Sequence, residues 1–249
     1  MNISNKLIVG LIIFLLVVVM IADFRVNGVK VFEGFYRQLE TESIRKLEQG
    51  KFNFSYQGPS ADIGVENQVI SLDNNVNTLD IRNPLGSIDI TGEDREDIVL
   101  SYKITVYASE LEIAETLVKE LKITTEKKDN RLVLGMVEVE TPKGVYGIKR
   151  EYKLLVPEDL FLDIENKYGH LNVSNMSNDV ILRNYFDEMA VSNINGQAEL
   201  YARYGNVYVK DITGKLQLDS AYNSIDISKV SNDLYLEQDY GQGRVDSIE

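Results

Sequence analysis

Residues 162–249 read LDIENKYGHLNVSNMSND (162–179), VILRNYFDEMAVSNINGQ (180–197), AELYARYGNVYVKDITGK (198–215), LQLDSAYNSIDISKVSND (216–233) and LYLEQDYGQGRVDSIE (234–249). Written in eighteens, the stretch aligns without a gap. Column one is Leu162, Val180, Ala198, Leu216 and Leu234, and column three is Ile164, Leu182, Leu200, Leu218 and Leu236. Column seven is Tyr168, Phe186, Tyr204, Tyr222 and Tyr240. Column ten runs Leu171, Met189, Val207, Ile225 and breaks at Gly243; column twelve is Val173, Val191, Val209, Ile227 and Val245; column fifteen is Met176, Ile194, Ile212, Val230 and Ile248. Apolar identity held at a fixed period marks a repeat architecture.

Within a copy the apolar positions lie two apart, the spacing of a strand with one face inward. Column eight (Gly169, Asp187, Gly205, Asn223, Gly241) and column seventeen (Asn178, Gly196, Gly214, Asn232) hold residues that tolerate positive φ, so each is expected to turn a corner. Short sides joined by corners predict a mainly β fold, a single-stranded β-solenoid (β-helix) of eighteen-residue rungs about 4.8 Å apart. A leucine-rich repeat does not fit, because no segment of a copy has helical spacing. The register sets Glu165 beside Arg183, Asp211 beside Lys229 and Asp226 beside Arg244, and it stacks Asn166 with Asn184 and Asn175 with Asn193.

LDIRNPLGSIDITG, from Leu79, places Leu79, Ile81, Leu85, Gly86, Ile88 and Ile90 on columns one, three, seven, eight, ten and twelve. The distance from Leu79 to Leu162 is not a multiple of eighteen, so an insertion at about 92–157 is expected. It holds strand-like IVLSYKITVYA, RLVLGMVEVE and VYGIKREYKLLVP, and a helix opened by a Ser109-x-x-Glu112 capping box with Leu111, Ala114, Leu117, Val118 and Leu121 as its apolar face. The reading is a lateral β-rich layer with one helix, laid against the first rungs.

Leu7–Ala22, LIVGLIIFLLVVVMIA, is uncharged and apolar, and as a helix it reaches about 24 Å against a ~30 Å hydrocarbon core. A cleaved signal peptide is the rival reading, but Met20 stands where a small residue is wanted. Residues 1–30 are therefore expected to form an uncleaved transmembrane signal anchor. Arg25 weakly orients it with the body outside the cytoplasm, which predicts a single-pass cell-membrane protein with an extracytoplasmic body. Residues 31–50 read as an amphipathic linker helix, with Val31, Phe32, Phe35, Leu39, Ile44 and Leu47 on one side. Residues 51–249 form the body, with regular rungs over 162–249.

The chain has 26 basic and 39 acidic residues, net −13; residues 1–49 hold 6 basic and 5 acidic groups, so residues 50–249 carry −14. Such a body repels phosphate backbones, so nucleic acid is excluded as a partner. With no cysteine and one histidine, disulfide frameworks, thiol nucleophiles and Cys/His zinc sites fall away.

The rungs, the helix-bearing insertion and LDIRNPLGSIDITG together resemble the bacterial "putative adhesin" domain family of unknown function, over roughly Phe52 to Glu249. The resemblance implies a β-solenoid that often follows a membrane segment in envelope proteins. It also implies that some relatives respond to envelope damage, and it brings no catalytic residues.

No catalytic, cofactor-binding or metal residue is assigned, and no cofactor is expected. His170 lies outward with no nucleophile beside it. Asp219, Glu237 and Asp239 could approach one another around calcium but lack a glycine-rich ligand loop. The aromatic column is read as core, with sugar stacking as its alternative. Lys143 and Gly144 lack phosphate-loop spacing. The function expected is non-enzymatic binding, adhesion or envelope-stress sensing, the membrane serving as a partner through the anchor and an envelope protein or wall polymer as a further one. A cytoplasmic self-assembling scaffold and a polysaccharide-acting enzyme are the alternatives. The fifth copy stops two residues short, leaving the apolar columns of Leu236, Tyr240, Val245 and Ile248 uncovered. That fits either a fragment of a longer solenoid or a homo-oligomer formed through the last rung.

Overall fold

A computed structural model describes residues 58–248. In chain order the strands are β1 (Ser60–Asp62), β2 (Glu66–Ser71), β3 (Thr78–Asn83), β4 (Ile88–Glu93) and β5 (Asp97–Ala108). After helix α1 (Leu111–Glu120) come β6 (Ile123–Lys128), β7 (Arg131–Met136), β8 (Val145–Pro157), β9 (Phe161–Lys167), β10 (Leu171–Met176) and β11 (Val180–Tyr185). β12 (Met189–Ile194), β13 (Ala198–Ile212), β14 (Leu216–Val230), β15 (Leu234–Asp239) and β16 (Gln242–Ile248) complete the order.

The mainly β expectation agrees with this, but the expected fold class is corrected. The strands join one curled, mixed sheet like a half-barrel, with a twelve-strand path β1-β5-β8-β4-β10-β12-β13-β11-β9-β3-β7-β6; β14, β15, β16 and β2 pair off that path. Among the described residues no helix is long and apolar enough to cross a membrane, and the fold there is not a β-solenoid. The insertion is the physical reason. Rather than lying beside the repeats, its strands extend the ladder at both margins: β5 pairs β8 antiparallel and β8 continues onto β4, while the β6–β7 hairpin continues onto β3. Backbone groups on β3 and β4 would otherwise lack partners, and these strands supply them.

The middle of the sheet is parallel and keeps an eighteen-residue register. β11 sets Val180 beside Leu162 and Ala198, and β12 sets Val191 beside Val173 and Val209. β13 and β14 are long enough to pair in both arms of the curl, through their first halves and again through their second halves. The alternating inward residues make the core: Leu162, Ile164, Leu182, Leu200 and Leu218 are all fully buried.

Helix α1 packs on β5 and β1 through Ala114, Leu117 and Val118. Leu111, expected on that face, is exposed. The expected capping box is absent: Glu110 is the cap residue, without a side-chain cap bond. Ser109 is engaged elsewhere, its N–H donating to the Gly144 carbonyl at 2.7 Å.

The expected single-pass membrane localisation with an extracytoplasmic body is corrected to this extent: among the described residues no helix is long and apolar enough to cross a membrane. The apolar segment Leu7–Ala22 and the helix expected over 31–50 lie outside the described residues.

Candidate functional site

The curl is creased at two columns of left-handed backbone. At the first crease Tyr168, Phe186, Tyr204, Tyr222 and Tyr240 adopt φ of 54°, 66°, 60°, 59° and 51°. At the second, Asn175, Asn193, Asp211 and Lys229 adopt 60°, 55°, 55° and 55°. Sequence reasoning placed the positive φ in columns eight and seventeen, on the residue types that tolerate it most easily. It falls instead in columns seven and fourteen, on aromatic side chains in the first and on Asn175, Asn193, Asp211 and Lys229 in the second. The column-eight glycine has another task. A Cβ on Gly205 would lie inside the van der Waals envelope of the Asp187 carbonyl, so that column carries glycine where adjacent repeats approach backbone to backbone.

Left-handed backbone costs an ordinary residue about 1–2 kcal/mol. Stacking offsets it. Successive ring centroids of the aromatic column are 4.8, 5.1, 4.9 and 5.0 Å apart, with interplanar angles of 7° or less. Each such pair contributes about 0.5–1.5 kcal/mol beyond burial. The expectation that these rings fill the core is corrected: Tyr168, Tyr204 and Tyr240 are 38%, 37% and 48% exposed. The ladder forms a ridge, with ring faces against one another and ring edges toward solvent.

Beside the ridge lies the outward face of β9, β11, β13 and β14, where cations alternate with tyrosines. The Arg183 guanidinium sits 5.3 Å from the Tyr201 ring centroid, and Lys167 Nζ 5.8 Å from that of Tyr185. The Tyr201 hydroxyl donates to Glu199, a bond that raises the phenol pKa. Asp163 is held by Arg82, Arg183 and Arg131 at 2.9, 2.9 and 3.0 Å. Burial pushes its pKa up, but the three guanidinia outweigh burial and keep the carboxyl below its ordinary value. Lys167 pairs with Glu165 at 2.8 Å and Arg203 with Asp219 at 2.9 Å. Lys167, Arg183 and Arg203 thus each have a carboxylate in contact. A shallow groove lined by Phe161, Ile181, Glu199 and Gln217 opens on the same face.

The residues singled out in the sequence are dispersed. His170 Nε2 lies 3.2 Å from Asp89 Oδ1, which also accepts from Asn172 Nδ2 at 2.7 Å. Asp89 foremost, with Asp187 and Glu188, raises the imidazole pKa against the effect of burial. Asp219 and Glu237 are register neighbours, but Asp219 is committed to Arg203 and Asp239 stands opposite Ala221. Among the described residues no three His, Asp or Glu side chains are placed to hold a metal ion. Lys143 and Gly144 lie in a turn before β8.

Of the three expected charge pairs, Asp211–Lys229 forms, at 3.4 Å. Arg183 passes over Glu165 to reach Asp163, and Arg244 turns to Asp246 at 3.0 Å. Both asparagine stacks form, each at 3.0 Å.

Two features escaped sequence reasoning. Asn83 extends the buried asparagine stack, its Nδ2 donating to Asn166 Oδ1 at 2.9 Å; it stands on column five of the LDIRNPLG stretch, so the column alone could have found it. The pairing of Arg183 with Tyr201 and Lys167 with Tyr185 was also missed. Its signal is a cation and a tyrosine eighteen residues apart on an outward column.

No family model matches this chain, and no curated protein matches it. Among solved structures it is similar to a "putative cell adhesion protein" from Clostridium sporogenes, at 11% identity and a TM-score of 0.40, covering 73% of this chain and 99% of that one. It is similar to a "putative adhesin" from Parabacteroides distasonis, at 10% identity and a TM-score of 0.32, covering 77% and 98%. A "putative lipid binding protein" from the same species is similar at 10% identity and a TM-score of 0.25, covering 74% and 97%. The likeness to these adhesins is loose at these values.

Proposed function

We propose that this chain is a non-catalytic binding module that docks a neutral, extended glycan, such as a wall polysaccharide, along the aromatic ridge and the cation–tyrosine face beside it. One observation carries the reading: the ladder from Tyr168 to Tyr240 is held on a corner with its rings partly exposed, where burial would have stabilised them more. A repeat architecture presents the same group once per strand spacing, about 4.8 Å, and a polymer with its own repeat engages several units at once.

The charge pattern supports a neutral ligand. Lys167, Arg183 and Arg203 each contact a carboxylate, and the whole chain carries −13, so a polyanion gains little from this face. The commitment of Asp163 and Asp219 to arginines supports binding over hydrolysis, which needs a carboxyl kept available to give or take a proton.

The test is co-sedimentation and calorimetry of the full chain against neutral and anionic wall polysaccharides at low and high salt. Binding to a neutral polymer is expected, insensitive to salt and weakened at least tenfold in Tyr201→Ala. No binding to any neutral polymer, or binding abolished by salt, overturns the reading.

A further inference from the structure

We propose that the outer edge of β16 is a self-complementary docking surface for a second copy of this chain. This stands apart from the glycan reading. Among the described residues, β15 and β16 each pair with β14 alone, so the far edge of each carries backbone groups outside any ladder. Column twelve shows what that edge leaves uncovered. Val173, Val191 and Val209 are 1% exposed and Ile227 is fully buried, whereas Val245 on β16 is 41% exposed. In each earlier repeat the next strand covers this position.

The sequence of β16 indicates which strand can supply the cover. Side chains alternate along a strand, so Arg244 and Asp246 flank Val245 on the opposite face. Their side chains pair within the strand at 3.0 Å and are 72% and 55% exposed. A second β16 laid antiparallel about a two-fold axis at Val245 sets Val245 opposite its own copy. It also sets Arg244 of each copy opposite Asp246 of the other, so two charge pairs form for one symmetry operation. The neighbouring strand does not share this property. β15 carries Glu237 and Asp239 outward, and a two-fold axis at its centre sets acids against acids or leaves them unmatched. The edge that matches itself in charge is therefore β16.

The chain has no cysteine, which makes the register directly testable in the full chain. Directly opposite residues of an antiparallel pair have Cβ atoms about 4.5–5.5 Å apart, close enough for a disulfide after small adjustment. Under mild oxidation Val245→Cys is expected to give a covalent dimer. Arg244→Cys and Asp246→Cys are each expected to stay uncrosslinked alone and to crosslink when mixed. Light scattering supplies the second arm: wild type dimeric, Arg244→Asp raising the dissociation midpoint at least tenfold, and Arg244→Asp with Asp246→Arg restoring the dimer. These exposed positions leave folding intact, which the melting profile of each variant checks. A wild-type chain that stays monomeric, equal crosslinking at all three positions, or a charge swap that fails to restore the dimer overturns the proposal.

Discussion

Replacing Asn166 with alanine tests how much of the curl depends on its buried amides. Asn83, Asn166 and Asn184 are 2%, 0% and 1% exposed. Asn166 Nδ2 donates to Asn184 Oδ1 at 3.0 Å and to the Gly169 and His170 carbonyls at 2.7 and 3.2 Å, while its own Oδ1 accepts from Asn83 at 2.9 Å. Asn166→Ala removes all four. Asn83 Nδ2 keeps the Arg150 carbonyl and the His170 carbonyl keeps the Ile88 N–H, so neither is left bare. Asn184 Oδ1 and the Gly169 carbonyl lose the donor that Asn166 gave them. A buried polar group left without its partner costs about 1–3 kcal/mol, so the expected loss is about 3 kcal/mol. For a body of this size that lowers Tm by about 6–12 °C.

The control is the exposed stack. Asn193 Nδ2 donates to Asn175 Oδ1 at 3.0 Å in solvent, and Asn193 has φ of 55°, so glycine keeps its backbone at ease. Asn193→Gly should change stability by less than about 0.5 kcal/mol. Urea and thermal unfolding followed by circular dichroism measure both. If Asn166→Ala loses less than about 1 kcal/mol, or no more than Asn193→Gly, the argument that burial gives the first stack its weight is refuted.

Gly205→Ala pushes a methyl into the Asp187 carbonyl and should lower the urea midpoint by the equivalent of about 2–4 kcal/mol, whereas Gly135→Ala, which meets only the Thr124 hydroxyl at 3.5 Å, should not. Tyr204→Ala keeps the left-handed backbone and loses two stacks, so it should cost about 2 kcal/mol; Tyr204→Asn, which tolerates that backbone, should cost about 1 kcal/mol less, and equal losses would refute the strain argument. The His170–Asp89 contact should make stability pH-dependent. His170 is raised above its ordinary 6.5, so its contribution is complete below pH 6.5 and lost as pH rises through the folded-state value. Asp89 is lowered below 3.8, chiefly by His170, so its contribution persists down to that pH and is lost only below it. Denaturant titrations of His170→Gln should show a flatter decline above pH 6.5 than wild type.

Strand content and the eighteen-residue columns were legible because parallel pairing gives each core residue the same neighbours above and below. Leu200, between Leu182 and Leu218, is the same kind of residue for the same reason. The path of the sheet was not legible. Strand pattern reports which face of a strand is buried but not which edge it joins, so β5 and β8 were read as a separate layer when they continue β4. The creases were misplaced by one column at the first and three at the second. At the first, stacking along the repeat shifts the left-handed position from Gly and Asn to the rings. At the second it does fall on Asn175 and Asn193, but in a column whose later members are Asp211 and Lys229. At the candidate site the aromatic column was visible, but its exposure was not, since an apolar column reads alike inside a core and on a corner. Asp163 with its three arginines was invisible for a further reason. Arg82 and Arg131 reach it from β3 and β7, strands far away in sequence.

Column five explains how the ridge is held. It reads Asn83, Asn166, Asn184, Ala202, Ser220 and Gln238, two residues before the ring position. In the first two regular repeats its amide reaches across the crease from inside: Asn166 Nδ2 to the Gly169 and His170 carbonyls, Asn184 Nδ2 to those of Asp187 and Glu188. Where column five becomes Ala202 and Ser220, nothing there can span the bend. Asn223, on column eight, takes the task for both repeats. Its Oδ1 accepts from the Gly205 N–H at 2.6 Å, and its Nδ2 donates to the Ala202 and Ala221 carbonyls and the Ser220 hydroxyl. In the fifth repeat Gln238 resumes it, donating to the Asn223 and Gln242 carbonyls at 3.2 Å. Strand form follows the clamp: β9 and β11 break at the crease where an asparagine in column five crosses it, while β13 and β14 run through it unbroken where Asn223 serves instead. Different side chains thus hold one outer geometry, rings about 5 Å apart with planes within 7°. On the proposed glycan reading, a ridge fixed from inside before a ligand arrives would have little ordering left to lose on contact, which would favour affinity for a repeating polymer whose contact with each unit is small.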